Sequence, residues 1–289
     1  MDMLKVRIFI RPLIPIGMVL LASCGPEPEP RQMIGSLSVD DYQLSYVCAG
    51  KGSPTIFLEA PSGISGEQAF SSVFEEIAAA NKVCRLERLG FGDSDPVPPS
   101  LNQTVKDYSH ELRELVKAVS PDDDVVIVGY SFGGLIARYY AAHYPSNVKG
   151  LLLIDAAHED WIREMKAQMS EDDWQKMQEI LYWFRANLGH NVWDSQKEMD
   201  DSPLIDQSMP IRVISRGLDF QRIRLAEVSE DGFRIYNDLH NKYQVAQENL
   251  SKNTTRVIAA RSEHFIPDTE PELVLAELRR LLSEIETHP

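Results

Sequence analysis

The chain has 289 residues, 43% hydrophobic and 25% charged, which is enough apolar material for one large domain or two small ones. Asp and Glu number 44 against 29 Lys and Arg, a formal net charge of −15. That balance repels nucleic-acid phosphates and supplies no electrostatic attraction to anionic lipid.

The first eleven residues carry Lys5, Arg7 and Arg11, and residues 12–22 are apolar. An apolar run this short falls well below the ~20 residues of a membrane-spanning helix, and its layout predicts a secretory signal over residues 1–23. The run stops at Leu21-Ala22-Ser23-Cys24, which resembles the lipobox of bacterial lipoproteins. The resemblance implies that Cys24 is the first mature residue, carries the lipid and anchors the protein on the extracytoplasmic side of a membrane. Residues 24–34, in which Pro26, Pro28 and Pro30 alternate with glutamates, read as an extended, solvated tether.

Strand-like runs follow at residues 36–39, 42–48, 55–59 and 82–88, with a helix expected over 68–80. Residues 104–119 place Val105, Tyr108, Leu112, Leu115, Val116 and Val119 near helical spacing. Residues 125–128 are β-branched and apolar, the mark of a buried strand. Another buried strand is expected at 148–154, ending at Asp155. Residues 156–209 change character, with Trp161, Met165, Trp174, Met177 and Trp183 among acidic residues, and read as a helical lid inserted into the domain. Strands return at 211–215 and 255–260, with helices expected over 233–250 and 273–285. Strands alternating with helices predict a mostly parallel α/β sheet covered on both faces. Its reacting groups belong beyond the carboxyl ends of strands, where Ser131, Asp155, Asp219 and His264 all fall.

The most informative stretch is Gly129-Tyr130-Ser131-Phe132-Gly133, a G-x-S-x-G pattern between the strand at 125–128 and a helix expected over 135–144. Strand, sharp turn and helix form the context of a nucleophile elbow. The glycines are needed where neighbouring backbone comes too close for a side chain, and the helix N-terminus directs N–H groups at a developing oxyanion.

This elbow, together with Arg88-Leu89-Gly90-Phe91-Gly92-Asp93-Ser94 and the terminal stretch from Ser262-Glu263-His264 to Glu272, resembles the α/β-hydrolase superfamily over roughly residues 35–289. The resemblance implies an eight-stranded, mostly parallel sheet, with a core formed by 35–155 and 210–289 and the lid between them. It implies Ser131 as nucleophile and His264 as its base. The other histidines are placed elsewhere: His110 and His240 within surface helices, His143 late on the elbow helix, His190 in the lid, His288 in the tail, and His158 near enough to Asp155 to line a pocket. The acid follows the sixth strand at Asp155 or, as the alternative and the commoner family position, the seventh at Asp219; Asp155 is favoured. Phe132 N–H is expected in the oxyanion hole. The second donor comes from the loop after the third strand, where the family often carries His-Gly. Here Ala60-Pro61-Ser62-Gly63 stands instead, so Ser62 or Gly63 must donate. Arg88 and Asp93 are expected to pin the loop after the fourth strand. The family places the second and fourth strands side by side, which implies a disulfide between Cys48 and Cys84 in an oxidising compartment.

A serine hydroxyl needs a base within hydrogen-bond reach and a carboxylate to orient that base, and this chemistry uses no metal or cofactor. The expected activity is hydrolysis of small-molecule carboxylic esters through an acyl-enzyme. Amide or lactone hydrolysis or a lyase reaction on the same groups, and a non-catalytic anchored binding protein, are the alternatives. The membrane, through Cys24, and the ester substrate are the only partners read from the sequence.

Overall fold

The computed structural model describes residues 32–287. The signal segment, Cys24 and the tether up to residue 31 lie outside them. Eight strands form one sheet in the order β1-β2-β4-β3-β5-β6-β7-β8. They are β1 (Met33–Val39), β2 (Tyr42–Ala49), β3 (Thr55–Glu59), β4 (Val83–Leu86), β5 (Val125–Tyr130), β6 (Val148–Ile154), β7 (Pro210–Arg216) and β8 (Asn253–Ala259). The pairs β1/β2 and β2/β4 are antiparallel and all others are parallel. β1 begins at Met33, so the last two positions of the tether expected over 24–34 are strand instead; their backbone pairs with Cys48 and Val47.

Strand residues alternate between two buried faces. Ile56, Leu58, Val126, Val128 and Leu152 face one core. Helices α1 (Gly66–Phe70), α2 (Phe74–Ala80) and α10 (Pro271–Thr287) cover it with Phe70, Phe74, Ile77, Leu278 and Leu281. Phe57, Val125, Ile127, Leu151 and Leu153 face the other, under α3 (Val105–Val119) and α4 (Phe132–His143). Burial on both faces is why these strands read as continuous apolar runs. The single helix expected over 68–80 is two, interrupted at 71–73, where Ser72 Oγ donates to Pro267 O at 2.6 Å. Thr104 caps α3 reciprocally with Asp107.

Between β6 and β7 lie three helices, α5 (Glu159–Gln168), α6 (Glu171–Leu188) and α7 (Val192–Asp200). Their Met165, Trp174 and Met177 share a separate core with Phe233, Tyr236 and Leu239 of α8 (Glu230–Ala246). The short α9 (Ile266–Thr269) follows β8. Among the described residues no helix is long and apolar enough to cross a membrane.

Cys48 and Cys84 are directly opposed in the β2/β4 register and form a disulfide. They are 36 residues apart in sequence, and closing a loop of that size contributes about 3–4 kcal/mol in the chain-entropy picture. Met33 is opposed to Cys48. The chain therefore enters the sheet level with the start of β4, at the amino ends of the parallel strands.

Candidate active site

Ser131 joins β5 to α4 with φ 55° and ψ −118°. A non-glycine residue at positive φ stores strain of about 1–3 kcal/mol, and the surroundings must over-determine it. Here Ser131 N donates to Ile154 O at 2.9 Å, and Ser131 O accepts from Gly134 N at 3.0 Å and Ala157 N at 2.9 Å. The flanking glycines leave no alternative. A Cβ on Gly133 would sit 2.1 Å from Glu59 O, and one on Gly129 2.6 Å from Gly133 O. Phe132 opens α4, so its N–H has no acceptor within that helix.

Asp155, the residue after β6, is buried and also at positive φ, 41°. Both its oxygens are held. Oδ2 pairs with His264 Nδ1 at 2.6 Å and accepts from Arg216 Nη1 at 3.3 Å. Oδ1 pairs with His240 Nε2 at 2.8 Å and accepts from Arg216 N at 3.1 Å. Burial alone would raise this carboxyl; His240, then His264 and Arg216, outweigh it and keep Asp155 well below the usual carboxylate range. His240 is itself pushed down by burial, against the pull of Asp155. Tyr130 donates to His264 O at 2.8 Å, and the His264 ring lies against Tyr130, Phe220 and Phe265. Asp219 stands apart. Beyond β7, Gly217 N and Leu218 N both donate to Ser262 O at 3.1 Å, and Asp219 is left exposed.

Two histidines that the sequence set away from the reacting groups reach them. His240 lies on the buried face of α8 beside Asp155, not on a helix surface. That face carries Phe233, Tyr236, Asn237, His240, Tyr243 and Gln244 without a Lys or Glu, which marks it as inward-facing in the sequence itself. His190, in the turn between α6 and α7, is 3% exposed and reaches the loop after β3. His158 lines the cavity as expected, stacked on Tyr243.

The loop carrying Ser62 is fixed from below by Arg88. Its guanidinium donates to Glu59 Oε2 at 3.1 Å, Ala60 O at 2.7 Å and Pro61 O at 3.1 Å. Arg88 thus secures the loop after β3, rather than only its own. The guanidinium also lies against the rings of Tyr108 and Phe132. Nearby Glu111 is buried and bonded to Gln103, and burial raises its carboxyl to about 7. A carboxyl raised on folding contributes stability that is complete below its unfolded value near 4.5 and is lost as pH rises through about 7. The Tm advantage of the wild type over Glu111→Gln is therefore expected to shrink between pH 5 and pH 8. A gap that is constant or widens with pH would contradict this reading.

Ser131, Asp155, His264, His240 and Ser62 line one cavity of about 430 Å³. Its upper wall is apolar and comes from the inserted helices, with Trp161, Met165, Met177 and Trp183 among its residues. Among the described residues no group of three or more His, Cys, Asp or Glu side chains is placed to hold a metal ion.

Residues 62–204 match the profile of the family described as alpha/beta hydrolase fold. The chain has the α/β-hydrolase fold. Among similar sequences, proline iminopeptidase PfmaB of Pestalotiopsis fici is 26% identical over 123 residues, 42% of this chain and 43% of that one. The 2-hydroxy-6-oxo-6-(2'-aminophenyl)hexa-2,4-dienoic acid hydrolase of Metapseudomonas resinovorans is 30% identical over 125 residues, 41% of this chain and 42% of its own. The matches thus span about two-fifths of these relatives' length. Among solved structures, the α/β-hydrolase domain-containing protein 10 from mouse superposes with a TM-score of 0.65 at 16% identity, over 88% of this chain and 99% of that one. At that identity the likeness concerns the fold.

Proposed function

We propose that this α/β-hydrolase cleaves carboxylic esters through an acyl-enzyme formed on Ser131. The reading rests above all on the 2.6 Å contact between His264 and a buried, multiply bonded Asp155, in the cavity that Ser131 also lines. In this reading His264 takes the Ser131 proton as the hydroxyl attacks the carbonyl and returns it to the leaving alcohol. Asp155 orients the imidazole and stabilises its charged form. Phe132 N–H and the backbone of Ser62 receive the oxyanion. Water then repeats the sequence to release the acid, and no metal or cofactor takes part. The apolar wall contributed by the inserted helices favours esters with an apolar acyl or alcohol group.

A fluorophosphonate, read by intact mass, is expected to leave one adduct, on Ser131, and short p-nitrophenyl esters are expected to turn over. Folded protein that takes no adduct and turns over no ester would end this reading. Amide and lactone substrates remain the second choice, since a similar sequence is a proline iminopeptidase.

The enzyme is further proposed to act outside the cytoplasm, held by lipid on Cys24. The signal-like segment before that residue supports this, and the Cys48–Cys84 bond fits an oxidising compartment. Expressed in a bacterium fed labelled palmitate, the wild type should take up label and Cys24→Ala should not. Label retained by the variant would remove the anchor from the proposal.

A further inference from the structure

The two segments that would bind the oxyanion are far apart in sequence, the loop after β3 and the start of α4. One side chain from the insertion touches both. His190 Nδ1 lies 3.1 Å from Ser62 Oγ. The same imidazole stacks on the Phe132 ring, with centroids 5.1 Å apart and planes at 28°, and meets the edge of Tyr108 at 4.9 Å.

Resting on the esterase reading, we propose that His190 is a positioning residue of the oxyanion hole, through which the inserted helices fix the donors at Ser62 and Phe132 relative to each other.

The turn that carries His190 is built to stay in place. Gly189 ends α6 in the left-handed region at φ 70°. The backbone on either side of His190 is then sewn to residue 103. Gln103 N donates to Gly189 O at 2.7 Å, and Asn191 N donates to Gln103 O at 2.8 Å. Asn191 caps α7, its side chain accepting from Asp194 N at 3.1 Å. One turn further back, Phe184 packs over the same loop, so closely that a Cβ on Gly63 would meet its ring at 3.1 Å. This end of the insertion is therefore a fixed wall of the hole and not a flap. Burial holds the imidazole at about 3, so it stays neutral and keeps one acceptor nitrogen through the neutral range. In a hole made of backbone donors, a small displacement acts on the transition state more than on the bound ester.

The test compares His190→Phe, Ser62→Ala and the double variant on a p-nitrophenyl ester, with fluorophosphonate labelling alongside. His190→Phe keeps a ring against Phe132 and Tyr108 and removes the partner of Ser62. Each single variant is expected to lower kcat by about tenfold to a hundredfold, a part of what losing a whole oxyanion donor does, with KM within about twofold. Phosphonylation of Ser131 should slow in parallel. The double variant should be no slower than the worse single one, because both remove the same contact. Should His190→Phe fail to fold, Ser62→Ala alone carries the test. Variants with wild-type kcat, effects that multiply in the double variant, or a change confined to KM would each overturn the assignment. A wild type that takes no label would overturn it together with the esterase reading, whereas a labelled wild type with unaffected variants would overturn this assignment alone.

Discussion

Replacing Ser131 with alanine is expected to abolish ester turnover, with kcat falling by about 10⁶-fold, since in a coupled triad the loss of the nucleophile removes nearly all that the triad contributes. The variant should fold. Ser131 is fixed through its backbone, by Ile154 O, Gly134 N and Ala157 N, and alanine keeps all three contacts. Its strained backbone remains, so stability should stay near the wild-type value. The measurements are initial rates on a p-nitrophenyl ester and thermal unfolding of the same samples. Turnover within tenfold of wild type in a folded Ser131→Ala protein would exclude this serine as nucleophile.

Asp155→Asn is expected to act on both activity and stability. An amide has a single accepting oxygen, so it cannot serve both His264 and the groups now held by Oδ1, and the imidazole loses its orientation and its counter-charge. The expected fall in kcat is about 10⁴-fold. The same carboxylate is the counter-charge of Arg216, whose side chain is 2% exposed, and the partner of buried His240. Removing one member of a buried ion pair strands the other, and a loss of about 3–5 kcal/mol is expected in urea denaturation. Asn237, which accepts from Arg216 Nη2 at 2.9 Å, limits that loss. Asp219→Asn, at an exposed site, should change neither quantity by much. If instead Asp219→Asn removed activity and Asp155→Asn retained it, the two carboxylates would exchange roles.

The strands were legible because burial on both sides writes them as unbroken apolar runs, and the strand at 148–154 matches β6 residue for residue. The elbow was legible because its glycines are dictated by backbone contacts that no other residue permits. Helix ends were less clear. Nothing local in 68–80 announces the interruption at Ser72, which exists because its hydroxyl meets Pro267, remote in sequence. Local pattern favoured Asp155 over Asp219 only narrowly. What separates them in the fold is the contact of His264 with Asp155 and the outward turn at Leu218, held by Gly217 N and Leu218 N on Ser262 O. The second histidine on Asp155 was missed, although the aromatic and amide stripe of α8 marks its face as buried. His190 was not readable, because its contacts arise from a turn sewn to Gln103.

The level at which the chain enters the sheet bears on where substrates come from. Met33 stands opposite Cys48, at the amino ends of the parallel strands, while Ser131, Asp155 and His264 stand past their carboxyl ends. For a domain leashed through Cys24, the leash attaches underneath and the chemistry sits on top. On the proposed anchor and esterase reading, the cavity opens at the end of the sheet remote from the point where the leash joins it.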